Sequence, residues 1–224
     1  RLRGKKVDYA LRVKVLQDRK KNDSSRVLYD DLLAAGNENL AEAFSGNSLE
    51  EILAFCDELL AANHIYVLGL RGSFPVAFAF HYGYSMFRRN ATLLDGRAGT
   101  FADNLRALQE GDVVLAVGFS PYTASTVKTL DYALDNGAKL LSLTDSTVSP
   151  LAEKAHQVLL VPHDSPSFYQ SFVAPLAIAE ALVAFMAARG GARVLADIEA
   201  SENQLSQFEA YWEETPLRRR RRRT

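Results

Sequence analysis

Five hydroxyl-bearing residues, Ser120, Tyr122, Thr123, Ser125 and Thr126, crowd the stretch GFSPYTAST (118–126), directly after the apolar run VVLAV. If the apolar run is a buried strand and the following residues open a helix, these hydroxyls lie beside backbone N–H groups with no intrahelical partner. Such a helix start also carries partial positive charge, so hydroxyls and free amides together suit a bound anion, above all a phosphate. Ser and Thr are also the usual helix N-caps, but one cap accounts for one hydroxyl.

The elements that would hold this stretch follow from the alternation of apolar runs and helical patterns. HIYVLGL (64–70), ATLLD (91–95), DVVLAVG (112–118), AKLLSLTD (138–145) and QVLLVP (157–162) read as strands. Between them, helical patterns occupy 75–88, 104–109, 124–136 and 150–155. Short apolar strands separated by helices indicate an α/β fold, a five-stranded parallel sheet doubly wound with helices on both faces. Helical extensions flank it: a weakly periodic basic segment at 8–21, a helix over 25–44 with a break expected at Gly36–Asn37, and a helix from Ser48 to about Asn63. Ser48 and Glu51 have capping-box spacing at the start of that last helix. Two more helices, 168–189 and 191–213, close the pattern.

In open parallel sheets ligands bind beyond the carboxyl ends of strands, at the point where connections diverge to opposite faces. The loop after the first strand, Gly69-Leu70-Arg71-Gly72-Ser73, adds small residues for close backbone approach, a hydroxyl at Ser73 and a charge at Arg71. It is not the dinucleotide fingerprint, since Arg71 occupies the place of a required glycine, and a nicotinamide cofactor is disfavoured. The loop HDSPSFYQS (163–171) contributes Ser165, Ser167 and Gln170, with Ser167 also placed to cap the helix after it.

From about residue 63 to 188 the chain resembles the SIS (sugar isomerase) domain. Gly69 and Ser73 match its G-x-G-x-S loop, and Ser120 and Thr123 match its S-x-S-G-x-T loop. FSPYT, GAKLLSLTDSTVSPLAEKA and VLLVPHDSPSFYQS are most similar to the SIS domain of RpiR-type transcriptional regulators. ENLAEAF and LEEILAFCDELLAANHIYVLG resemble the connector that precedes it there, so the likeness spans about 27–213. The resemblance implies a flavodoxin-like strand order and a sugar phosphate held by Arg71, Gly72, Ser73, Ser120, Tyr122, Thr123 and Ser125. It implies an N-terminal helix-turn-helix domain upstream, with 1–26 as a basic leader, 27–62 as a helical connector, 63–213 as the SIS domain and 214–224 as an Arg-rich tail. Three positions depart from the pattern: Gly118 stands for the second loop's first Ser, Pro121 for a Gly, and Arg71 for the first loop's middle Gly.

The same resemblance leaves aldose–ketose isomerisation as the alternative, which requires a positioned base. His163, at a strand's carboxyl end, and Glu180, inside an apolar helix, are the candidates. Neither couples its location to a motif, so a sensor is expected, with no catalytic residue, metal or cofactor assigned. The net charge of −1 hides an asymmetry: residues 27–217 carry 10 Lys/Arg against 24 Asp/Glu, a net of −14. Such a body repels a phosphate backbone, so DNA is expected as a partner only through the upstream domain. Six consecutive arginines at 218–223 are read as native or appended, and no fold argument rests on them. The single Cys56 excludes an intramolecular disulfide and fits a cytoplasmic protein. Helices 168–189 and those before the sheet offer apolar surface beyond what one sheet covers, so a dimer or tetramer is expected. No membrane partner is expected, because the longest apolar stretch, 172–188, is interrupted by Pro175 and Glu180.

Overall fold

The computed structural model describes residues 8–18 and 24–212. Its centre is a five-stranded, all-parallel sheet: β1 (Ile65–Gly69), β2 (Ala91–Leu93), β3 (Val113–Val117), β4 (Lys139–Thr144) and β5 (Gln157–Leu160), in the order β2-β1-β3-β4-β5. This is the flavodoxin-like order, and its switch point lies between β1 and β3, where the chain reverses its direction of travel across the sheet. The register sets Ile65 beside Val113 and Gly69 beside Val117, so the two strands end level.

Both faces are covered, which is why β1 and β3 are apolar at every position. Ile65, Val67, Val113, Leu115 and Val117 face a core shared with α3 (Leu49–Ala61), α4 (Phe74–Ser85) and α6 (Val173–Arg189). Leu68, Val114 and Ala116 face a second core with Leu130 and Ala133 of α5 (Ala124–Asp135). In α6 the buried residues Ala174, Ile178, Leu182 and Met186 recur every fourth position and form the stripe that faces the first core, while the helix packs against α4, α2 and α3.

The helices before the sheet share the first core. Ser48 caps α3 through the capping box: Glu51 N–H donates to Ser48 Oγ at 3.2 Å, and Ser48 N–H donates to Glu51 Oε2 at 2.7 Å. Buried Asn47 ties the end of α2 (Ser24–Ser45) to β5, donating to Leu160 O at 2.7 Å and accepting from Leu160 N–H at 2.9 Å. The expected break at Gly36–Asn37 is absent, and α2 runs unbroken through it. A helical glycine costs only about 1 kcal/mol, and Asn39, donating to Asp164 O at 2.7 Å, with buried Ala43 anchors the second half against the body.

Three other helical expectations change. The segment 104–109 holds one 3₁₀ turn, Asp103–Leu105, and the segment 150–155 holds another, Ala152–Lys154. The last core helix begins at Val173, not 168, which places Pro175 in the first turn, where its missing N–H has no intrahelical acceptor to lose. Ser167 therefore does not cap α6; Ser171 Oγ instead accepts from Val173 N–H at 3.4 Å. The basic segment forms α1 (Tyr9–Asp18), and α7 spans Gly191–Gln207. Positions 19–21, 213 and the arginine run lie outside the described residues. No single helix among the described residues is long and apolar enough to cross a membrane.

Candidate functional site

The loops after β1 and β3 meet over a cavity of about 240 Å³ at the switch point. The β1 loop folds into a single 3₁₀ turn, Arg71–Ser73, that runs directly into α4. Gly69 is required for that tight exit, since a Cβ there would stand 2.6 Å from Ala77 Cβ and 2.9 Å from Ser73 O. Gly72 leaves room for the Tyr169 hydroxyl, which would lie 2.3 Å from an added Cβ. Arg71 sits at φ 57°, in the left-handed region that favours glycine. The glycine expected from the family pattern is therefore explained by backbone shape, and Arg71 adopts that shape at a cost of about 1–2 kcal/mol.

Ser73, Ser120, Thr123 and Thr126 line this cavity together with Arg71 and Gly72. None of the four hydroxyls has a hydrogen-bond partner among the described residues, and neither Ser73 nor Thr123 caps the helix it precedes. Capping therefore does not explain them. The first backbone bond of α5 is Val127 N–H to Thr123 O, so the amides of 124–126 have no intrahelical acceptor. Four free hydroxyls, a helix start and one guanidinium converge on a space large enough for a phosphate ester.

Two residues expected in the site stand differently. Tyr122 does not line the cavity and donates its hydroxyl to Asp145 Oδ1 at 2.8 Å. Burial, then the Asp145 carboxylate, push that phenol well above its ordinary range, so it remains a proton donor. Ser125 is one position round the helix from Thr126 and lines a separate surface hollow with Phe101, Lys128 and Tyr132. Thr126, one residue on, is buried and faces the cavity.

The rest of the lining comes from elements distant in sequence. Gln170 Nε2 donates to Ser120 O at 2.7 Å, while Ser120 N–H donates to Asp145 Oδ2 at 3.4 Å, so the β3 loop is held from both sides. Tyr169 and Phe172 form one wall, and Tyr9 of α1 packs on Tyr169 with ring centroids 6.3 Å apart at its edge. Leu151 fills the space beside Gly118, where an added Cβ would meet its Cδ2 at 2.6 Å. A serine at 118 therefore requires Leu151 to move. Pro121 follows Ser120 through a cis peptide bond.

No carboxylate or imidazole lines the cavity among the described residues. His163 packs against Phe119, ring centroids 5.3 Å apart, and Glu180 is exposed on α6. His156 Nδ1 accepts from Leu140 N–H at 3.0 Å, and His64 Nε2 lies 2.9 Å from Thr92 Oγ1, with burial lowering its pKa. His81 lies within α4. Among the described residues, no group of three or more His, Cys, Asp or Glu is placed to hold a metal ion.

The family model described as "SIS domain" matches residues 58–185. This chain belongs to the SIS domain family. Among solved structures, the sugar isomerase domain of the RpiR transcription factor from Sphaerobacter thermophilus is 28% identical at a TM-score of 0.74, covering 79% of this chain and 98% of that one. NanR of Vibrio vulnificus, complexed with ManNAc-6P, gives a TM-score of 0.72 at 17% identity, over 91% of this chain and 75% of that one. Phosphoheptose isomerase GmhA from Neisseria gonorrhoeae gives 0.59 at 18% identity, over 72% and 97%. The last two show the SIS fold alone. A curated relative, the Bifunctional protein glk of Paraburkholderia xenovorans (strain LB400), is 32% identical over 116 residues, 52% of this chain. The chain spans only 18% of the length of that relative.

Proposed function

We propose that this SIS chain is the effector-binding and dimerising part of a transcriptional regulator, and that its effector is a phosphorylated sugar. The observation that carries the reading is the set of four unpartnered hydroxyls around one cavity that no carboxylate or imidazole lines among the described residues. Ser73, Ser120, Thr123 and Thr126 donate to the phosphate, the amides of both loops complete its shell, and Arg71 at the mouth adds charge. Gly72 keeps the approach open. The sugar itself lies toward Tyr169, Gln170 and Tyr9.

The two loops start helices on opposite faces of the sheet, so a phosphate between them draws α4 and α5 toward one centre. On α4, Phe78 and Tyr82 are exposed and stacked, with ring centroids 6.1 Å apart. Unburied aromatics of this kind favour a protein partner, and a second copy of the chain is the partner proposed. Ligand binding then shifts the relative placement of two subunits, and of helix-turn-helix domains joined through a connector at 27–62.

An isomerase remains the competing reading, and it needs a base within reach of the substrate carbon. Neither His163 nor Glu180 lines the cavity, which favours a sensor. The test is a sugar-phosphate panel scored twice, for thermal stabilisation and for aldose–ketose conversion. Stabilisation without turnover supports the sensor; turnover lost in His163→Ala or Glu180→Gln establishes the isomerase.

A further inference from the structure

The opposite end of the sheet carries a second polar cavity of about 480 Å³, lined by Arg88, Arg89, Arg193, His64 and Asp197 among others. It lies where β1 and β2 begin, whereas the site described above lies where β1 and β3 end. Helix α4 joins the two: its first residue follows the Arg71–Ser73 turn, and Arg88 comes three residues after its end. Twelve residues of helix rise about 18 Å, so the two cavities are separate.

The charge arrangement there is unusual for so acidic a body. Residues 27–212 contain ten Lys/Arg. Arg97, Arg106, Lys139, Lys154 and Arg189 each pair with a carboxylate. Five cations have no such partner among the described residues, and three of them converge on this one cavity. Although 27–217 holds 24 acidic residues, three guanidinium groups without an ion-pair partner line this one cavity with a single carboxylate. Asp197 offsets a single charge and forms no ion pair with any of them.

A second observation singles out the same place. Arg88 Nε is buried and has no hydrogen-bond partner, the one such side-chain atom among the described residues. A buried donor without an acceptor is costly, and an unfilled ligand position is one of its standard explanations. Guanidinium groups match phosphate oxygens two at a time. His64, engaged with Thr92 at 2.9 Å, closes one wall without adding a carboxylate.

We propose that Arg88, Arg89 and Arg193 form a second anion site, at the amino-terminal edge of the sheet, for a small phosphate-bearing metabolite. Arg88 anchors the inner wall with its partly buried guanidinium, and Arg89 and Arg193, both exposed, close over the outer oxygens. The site is independent of the hydroxyl-lined cavity and stands or falls separately from the sensor reading.

Pyrophosphate is the probe, titrated calorimetrically into the full chain at low salt. Wild type and Ser73→Ala/Ser120→Ala are both expected to bind it at this site, and Arg89→Ala/Arg193→Ala to lose that binding at least tenfold. Because both arginines are exposed, the double variant is expected to keep its circular dichroism and melting temperature. Arg88→Lys, which keeps the charge but removes the planar donor, is expected to weaken binding several-fold. Two results overturn the proposal: unchanged pyrophosphate binding in Arg89→Ala/Arg193→Ala, or complete loss of it in Ser73→Ala/Ser120→Ala. A fall in oligomer mass by light scattering in the arginine variant, with pyrophosphate binding intact, assigns these residues to a subunit interface instead.

Discussion

The Tyr122 hydroxyl donates to Asp145 Oδ1 at 2.8 Å, tying the loop after β3 to the end of β4. The other oxygen of the same carboxylate accepts the Ser120 N–H at 3.4 Å, so one aspartate holds the loop after β3 at two points. Tyr122→Phe is expected to cost about 1 kcal/mol of unfolding free energy and to weaken sugar-phosphate binding a few-fold. Chemical denaturation and calorimetry measure the two effects. Binding abolished outright would place Tyr122 in contact with the ligand.

Arg71 separates strain from charge. Arg71→Gly removes the left-handed penalty at φ 57° and is expected to leave stability unchanged or raise it by up to about 1 kcal/mol. Arg71→Ala keeps the strained backbone and gives no such gain. Both are expected to weaken binding of a phosphorylated ligand about tenfold. Denaturant midpoints and titrations of both variants check the pair.

Restoring the serine of the family pattern is expected to harm this chain. Gly118→Ser drives a Cβ to within 2.6 Å of Leu151 Cδ2 as the structure stands, and overpacking of this kind costs about 1–3 kcal/mol. Combining it with Leu151→Ala is expected to be less destabilising than the sum of the two single changes, since both act on one contact. Additive losses in a double-mutant cycle would count against the contact as the reason for Gly118.

Cys56 reports on the core between α3 and α6. Its thiol is fully buried, with Sγ 3.7 Å from Leu182 O, and burial pushes its pKa from an ordinary 9.0 up to about 11. A thiol whose pKa is raised by folding ionises more readily in the unfolded chain. Its contribution is therefore intact below pH 9 and declines as the pH rises toward 11. Cys56→Ala is expected to flatten that part of the stability–pH curve, and the native thiol to resist maleimide until the protein unfolds.

The five strands were legible because each is a short apolar run whose two faces are both buried, and their loops followed from the strand ends. The meeting of Ser73, Ser120 and Thr123 at one cavity is legible for the same reason, since they are hydroxyls at strand-to-helix turns. Gln170 is legible from its place in the loop 163–171, but Asp145, Tyr169 and Tyr9 are not, because they reach the cavity or its loops from other elements and local spacing carries no trace of that. Leu151 reads as an ordinary core residue until its contact with Gly118 is seen. Thr126 and Ser125 differ by one helical step, 100° of rotation, which the sequence pattern did not resolve. Gly36 read as a helix break because local propensity ignores the anchoring of Asn39 and Asn47, whose partners lie more than 100 residues away.

Thermal unfolding of the wild-type chain and Ser73→Ala/Ser120→Ala, each with a panel of sugar phosphates and the matching free sugars, tests the central claim most directly. A ligand at 100 times its dissociation constant adds about 2.7 kcal/mol, which for a chain of this size raises the midpoint by roughly 5–10 °C. The account predicts such a rise with at least one phosphorylated sugar, none with its free sugar, and little or none in the double variant. Equal stabilisation by the free sugar, or stabilisation that survives the loss of both hydroxyls, would contradict it.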